Sequence, residues 1–183
     1  MDRALDELAR SGDEAAFARL ADEIGGRLYS IAFHILRDAA AADDAAQQAL
    51  IGIWRHLPEL QEIERFDAWS YRIVVREAYA EARRGRRSWP SLGIIASRGI
   101  DRHADDDIER LTDRDRIERG FCRLSAEQRA VMVLKHFVGL GDDEMADVLG
   151  VPVGTIRSRL FYGMRTLRAA IDADERPTIE DFA

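Results

Sequence analysis

At 183 residues the chain is long enough for one large domain or two small ones. Its 46% hydrophobic and 33% charged residues exclude a chain disordered throughout, and no apolar run approaches the roughly 18 residues that a membrane-crossing helix needs. The net charge of −7 argues on its face against a nucleic-acid partner, but the charge is unevenly spread.

Apolar spacing is helical nearly throughout, and no stretch sustains the alternation of a strand. The fold class expected is therefore all-α, with two small helical domains joined by a flexible linker. The N-terminal stretch MDRALDELARSGDEAAF is acidic and amphipathic, without the basic start and apolar middle of a signal peptide, so a cytoplasmic protein is expected. Helices are predicted over 13–24, after Ser11-Gly12, and over 26–37. Asp38 suits the N-cap of a third helix over 39–57. In it Ala46, Ala49, Leu50, Ile53, Trp54 and Leu57 form one apolar stripe, and Pro58 helps to end it. A polar loop, HLPELQEIER, leads to a helix over 66–84.

The composition then shifts. Residues 85–112 hold three glycines, a proline and the acidic run Asp105-Asp106-Asp107, and read as a linker with Trp89, Ile94 and Ile95 as apolar docking points. The domains are accordingly set at 1–87 and 113–171, with the linker at 88–112. Further helices are predicted over 113–121, 126–137, 142–149 and 153–171, followed by an acidic tail over 172–183. The single cysteine, Cys122, cannot form an internal disulfide and fits a reducing compartment; it is expected to pack between helices as a small hydrophobe.

Charge is organised along these elements. Residues 1–67 carry 7 basic and 14 acidic side chains, whereas 72–87 carry 6 arginines and 2 glutamates, and 153–171 carry 4 arginines and no acid. Two basic islands in an acidic background matter because the local field guides a phosphate backbone.

The segment DDEMADVLGVPVGTIRSRLFYGMRTLR has the chemistry of a helix-turn-helix. Asp142 or Asp143 is placed to cap the first helix, small Ala146 suits a close helix crossing, and Gly150 suits the left-handed conformation after it. Val151-Pro152 makes the turn. In the second helix Ile156, Leu160, Leu167 and Ile171 share the buried side, while Thr155, Ser158, Arg159 and Tyr162 lie on another, flanked by Arg157 and Arg165. The N-terminal residues of such a helix enter the major groove, which makes Thr155, Arg157, Ser158 and Arg159 the candidate DNA contacts.

Here a resemblance becomes specific. Leu124, Arg129, Glu144, Ala146, Leu149, Gly150, Val151, Pro152, Gly154, Thr155, Ser158, Arg159 and Leu160 match the pattern of the fourth conserved region of the extracytoplasmic-function sigma factors, a branch of the sigma-70 family. Met145 stands for the usual isoleucine and Arg157 for a lysine. The resemblance implies that this helix enters the minus-thirty-five promoter element.

AADDAAQQALIGIWRHL resembles the second region of the same family through Asp44, Gln47 and Trp54. That resemblance implies a helix gripping the clamp helices of the largest polymerase subunit, with Asp44, Gln47, Gln48 and Ile51 as contacts. Gln48 stands where an acid is usual. RFDAWSYRIVVREAYAEARRGRR resembles the family's next helix through Phe66, Trp69, Tyr71, Arg72 and Ile73. Of these, Trp69 and Ile73 are expected in the core. Arg72, Arg76, Tyr79, Arg83 and Arg87 form one stripe at spacings of 4, 3, 4 and 4, and cations interleaved with an aromatic suit single-stranded DNA. The resemblance implies that this helix and the loop Leu57–Arg65 open the minus-ten element around a flipped base. Arg76 replaces a familiar asparagine there.

The partners so implied are core RNA polymerase, through its clamp helices and the flap of its second-largest subunit, promoter DNA, and an anti-sigma factor. His34, His56, His103 and His136 are scattered, and no zinc spacing, phosphate loop or catalytic constellation occurs, so neither a metal, a cofactor nor an enzyme is expected. The alternative is a two-domain helix-turn-helix regulator that acts without polymerase and would not need the clamp-binding helix. A factor that sequesters sigma proteins would not need two basic DNA faces.

Overall fold

A computed structural model describes residues 9–88 and 116–174, so Trp89, Ile94, Ile95, Asp105–Asp107 and the end of the acidic tail lie outside the described residues. The described chain is helical and contains no strand. Helix α1 spans Glu14–Leu36, α2 Ala39–His56 and α3 Phe66–Ser88, with two short 3-10 turns, Leu57–Glu59 and Ile63–Arg65, between α2 and α3. The second group comprises α4 (116–122), α5 (Ala126–Val133, continued by a π turn over Leu134–Val138), α6 (Asp142–Leu149) and α7 (Val153–Asp174).

Helix α1 is one 23-residue element, not the two predicted. Its buried residues Ala16, Leu20, Ile24, Leu28, Ile31 and Ile35 continue without a break through Gly25-Gly26. Two interior glycines cost about 1 kcal/mol each relative to alanine. Burying Ile24 and Leu28 on either side of them yields about 1.5–3 kcal/mol each, which holds the helix together. Asp13 caps it through an Oδ1 that accepts from Ala16 N–H at 2.9 Å. Asp38 caps α2 in the same way, as its sequence position implies.

Helices α1, α2 and α3 enclose a core around Leu20, Leu28, Ile31, Ile53, Leu57, Phe66, Val74 and Val75, all essentially inaccessible to solvent. Ala42, Ala45, Ala46 and Ala49 line the inner side of α2, and such small residues permit close helix approach. Trp54 packs on Phe17 with ring centroids 4.7 Å apart. Ile73 is buried as expected and Trp69 is half-buried beside Phe66.

In the second group α4 approaches α7 through Gly120, where an added Cβ would stand 2.5 Å from Leu167 Cδ1. That contact decides the fate of Cys122. Two residues further on, it is exposed, not packed between helices as expected. Ser125 and Gln128 form a reciprocal capping box at the start of α5. The buried residues of the second group, among them Ala130, Val131, Leu134, Met145, Val148 and Ile156, join those of α1–α3 in one continuous apolar cluster.

Among the described residues no helix is long and apolar enough to cross a membrane.

Candidate polymerase and nucleic-acid interfaces

Helix α2 is alanine-rich beneath and polar above. Asp44, Gln47, Gln48, Ile51 and Arg55 are all exposed on its outer face, so the structure brings the expected contacts together. Ile51 is 41% exposed, an apolar side chain standing among polar neighbours. Gln47 donates to Asp43 Oδ2 at 2.9 Å, which adds Asp43 to the surface that sequence reasoning outlined.

The loop after α2 is more ordered than its polar composition suggests. Leu57 and Ile63 are buried anchors, and the Arg10 guanidinium donates to the Leu60 carbonyl at 3.2 Å. Pro58, Glu59, Gln61, Glu62, Glu64 and Arg65 are left on its outer side.

On α3 the stripe Arg72, Arg76, Tyr79 and Arg83 is present, and the side chain of Arg87 lies outside the described residues. Its members meet different surroundings. The Arg72 guanidinium donates to the main-chain carbonyl of Asp147 in the last turn of α6. The final carbonyls of a helix have no partner within it, and the negative end of the helix dipole favours a cation there. Arg76 pairs with Glu77 at 3.1 Å, and Arg83 is exposed. Tyr79 is half-buried, and its hydroxyl has no hydrogen-bond partner among the described residues. Burial pushes its phenol up to about 12, opposed by Arg159 and reinforced by Glu127, both from the second group. Tyr71, one of the residues carrying the family resemblance, is buried; its hydroxyl accepts from Arg27 at 2.9 Å, a cation on α1 that the sequence stripe did not include.

The helix-turn-helix forms as predicted, with one correction. Gly141, not Asp142 or Asp143, occupies the N-cap of α6, and the Glu144 carboxylate accepts from its N–H at 2.6 Å. Glycine offers no capping side chain, so the glutamate three residues on supplies that acceptor. Gly150 takes the left-handed conformation at φ 64°, and the Val151 N–H reaches back to the Ala146 carbonyl at 3.2 Å. Asp142, free of the capping duty, bridges the motif instead. It accepts from Lys135 at 3.1 Å and from Arg157 at 3.2 Å. Those two hydrogen bonds, Lys135 first, hold its carboxyl below the usual range. Arg157 is thus tethered at the mouth of the second helix, which periodicity alone could not reveal.

On α7, Arg157 and Ser158 are exposed, while Thr155 and Arg159 are half-buried. Arg159 turns toward a shallow groove that it lines with Ser125, Glu127, Gln128, Ser158 and Tyr162. Ile156 and Leu167 are buried as expected, with Leu160 and Ile171 partly so. Phe161, Tyr162, Arg165 and Arg168 stand in solvent. The four candidate residues on α7 therefore share a helix end without sharing one face.

A helix-turn-helix with arginines on its second helix, a separate cationic helix and an exposed polar helix face define a class, the two-unit helical DNA-binding proteins of transcription. Comparison with known proteins narrows it. Residues 20–88 match Sigma-70 region 2 and residues 114–167 match Sigma-70 region 4. The ECF RNA polymerase sigma factor SigL of Mycobacterium tuberculosis is 30% identical over 89% of this chain and 93% of its own. The RNA polymerase sigma-H factor of Pseudomonas aeruginosa is 32% identical over 98% and 96% of the two chains. Among solved structures, CnrH in complex with the cytosolic domain of CnrY is similar with a TM-score of 0.65 at 26% identity, covering 95% of this chain and 99% of that one. The chain belongs to the extracytoplasmic-function sigma factors of the sigma-70 family.

Proposed function

We propose that this chain joins core RNA polymerase in the cytoplasm and directs it to promoters, melting them and starting transcription, with residues 1–87 and 113–171 as its two working domains. In this reading the outer face of α2, Asp44, Gln47, Gln48 and Ile51, docks on the clamp helices of the largest polymerase subunit. Arg72, Arg76, Tyr79, Arg83 and Arg87 follow the melted minus-ten strand. Thr155, Arg157, Ser158 and Arg159 read the minus-thirty-five element, and the second domain also meets the flap of the second-largest subunit. An anti-sigma factor is the further partner that family membership implies.

One observation carries the reading. A single chain presents an exposed polar and isoleucine-bearing face on α2 together with two cationic helices on separate units. A regulator acting alone would need the second cationic helix but not that face. Run-off transcription with purified core polymerase tests it. Specific transcripts should require the chain and should fall when Gln47→Ala and Ile51→Ala are combined. Tight, specific promoter binding by the isolated chain with no stimulation of polymerase would overturn it in favour of a regulator acting alone.

A further inference from the structure

The residues that α7 offers to DNA are not equally free to meet it. The Ser158 hydroxyl donates to the Thr155 carbonyl of its own helix, and Thr155 and Arg159 are half-buried. Arg157 is different. Its side chain is 72% exposed, and its partner among the described residues is Asp142, whose Oδ2 accepts from Nε at 3.2 Å. A guanidinium carries five N–H donors in one plane, so a bond at Nε leaves the donors on both terminal nitrogens unspent. Those donors form an end-on fork that matches two acceptors lying side by side.

The acid is itself fixed. Asp142 stands in the first turn of α6, where the helix dipole favours a negative charge. Its other oxygen, Oδ1, accepts from Lys135 at 3.1 Å, and its side chain is 28% exposed. Lys135 belongs to the π turn, so the series Lys135–Asp142–Arg157 ties that turn to both helices of the helix-turn-helix. A carboxylate on a surface that meets phosphates works against binding by like-charge repulsion. Here each of its oxygens faces a cation, and one of those cations is the exposed arginine of the second helix.

We propose that Asp142 is a positioning residue for sequence readout: it fixes Arg157 so that the free edge of the guanidinium meets one guanine of the minus-thirty-five element. Guanine presents N7 and O6 as neighbouring acceptors in the major groove, the pattern that a fork of terminal N–H groups fits. An untethered arginine samples many rotamers and meets phosphates as readily as bases. Ordering it before contact removes part of the entropy cost of binding and favours the base that fits the fixed geometry. Lys135 acts one step further back, by holding Asp142. The inference rests on the assignment of α7 to the minus-thirty-five element made above.

The test uses the full chain bound to core polymerase, which selects from a pool of random-sequence duplexes while base preference is scored position by position. With the unaltered chain one position of the upstream element should favour guanine by roughly fivefold or more, and Arg157→Ala should abolish that preference. Asp142→Ala should cut the preference at the same position by roughly threefold or more and leave the other positions as they were. Asp142→Asn, which keeps the shape and gives up the charge, is the gentler variant and should shift the same position in the same direction. Added to Arg157→Ala, Asp142→Ala should change no preference further. A guanine preference that survives in both Asp142 variants would overturn the proposal. So would flattening of every position alike, which is the mark of a structural role. A change at a different position would make Asp142 a base contact in its own right and overturn the positioning role. Uniform weakening by Arg157→Ala would place Arg157 on phosphate and overturn the readout. Selection of duplexes with no sequence preference by the unaltered chain would overturn the promoter-reading assignment beneath the proposal, and the proposal with it.

Discussion

Helices α3 and α7 are both cationic, with six arginines within 72–87 and four within 153–171, yet present them differently. On α3, Arg72 is bound to the end of α6, Arg76 to Glu77, and Tyr79 is half-buried within the electrostatic reach of Arg159 and Glu127. On α7, Arg157 is tethered by Asp142 at its own helix mouth, and Arg165 and Arg168 face solvent beside Phe161 and Tyr162. The difference arises on the flanks. Both sides of α3 are needed, one for α1 and α2 and another for the second group, whereas α7 buries only the stripe that includes Ile156 and Leu167. Charge along a helix says which ligand it suits; the packing of its neighbours says when that ligand can reach it.

The largest effect that sharpens this comparison is on support. Ile156 is fully buried beneath the exposed face of α7, as Ile53 is beneath that of α2. Ile156→Ala should destabilise the protein by about 2–5 kcal/mol, and Ile53→Ala by a similar amount. Urea denaturation followed by circular dichroism measures both. A loss well below 1 kcal/mol for Ile156→Ala would mean that the α7 surface is held by something other than its buried stripe.

Next comes the contrast between the stripes. Arg157→Ala should weaken binding of the polymerase-bound protein to promoter DNA by about 1–3 kcal/mol if it meets a base, or shallow the salt dependence by about one unit if it meets phosphate. It should weaken DNA binding by the isolated chain too. Arg72→Ala should weaken DNA binding by the isolated chain less than Arg157→Ala does, because Arg72 donates there to a carbonyl of α6, whereas Arg157 is held within its own helix-turn-helix. Equal effects of the two variants on the isolated chain, seen by fluorescence anisotropy, would erase the distinction.

Polymerase docking should respond less sharply, since Gln47 and Ile51 lie on an exposed face and not in a packed core. Removing both side chains should weaken core association by roughly tenfold, the loss of about one well-placed interface contact. A quantitative pull-down with unchanged affinity would move the docking surface elsewhere.

The smallest effect is one of pH. Burial, with help from Arg37 and against the pull of Glu118, holds the His34 imidazole below its ordinary pKa. The folded state therefore binds a proton less readily than the unfolded chain, whose histidine titrates at about 6.5. The contribution of neutral His34 is fully present above that value and is lost as the pH falls from there toward the lowered folded pKa. The urea midpoint should drop on acidification through that range, and His34→Leu should flatten the drop. A midpoint that rises as the pH falls would reverse the sign of this coupling.

Much of the architecture was legible from local pattern. The boundaries of α2 and α6, the caps at Asp38 and Gly150, and the polar face of α2 follow from periodicity and cap chemistry, which depend on neighbours a few residues away. Errors arose where distant residues decide. Two predicted helices merge into α1 because one buried stripe runs the whole length against α2 and α3. Cys122 is exposed because Gly120 occupies the close approach to α7. Asp142 is a bridge and not a cap because Lys135, seven residues earlier, and Arg157, fifteen later, converge on it. The engagement of Arg72 by α6 spans 75 residues of sequence and leaves no periodic trace.

The glycine pair within α1 leaves a mark on time and not on shape. Neither Gly25 nor Gly26 has another group within 4 Å of where a Cβ would stand, so the two glycines add no side-chain contact of their own at that turn. Helices open locally where side-chain contacts are sparse, and their amides exchange with solvent accordingly. In deuterium the middle of α1 should lose its protection sooner than the turns around Leu20 and Ile31, as if the helix were two exchanging segments in one continuous rod. Gly25→Ala with Gly26→Ala would join those segments and slow the exchange between them.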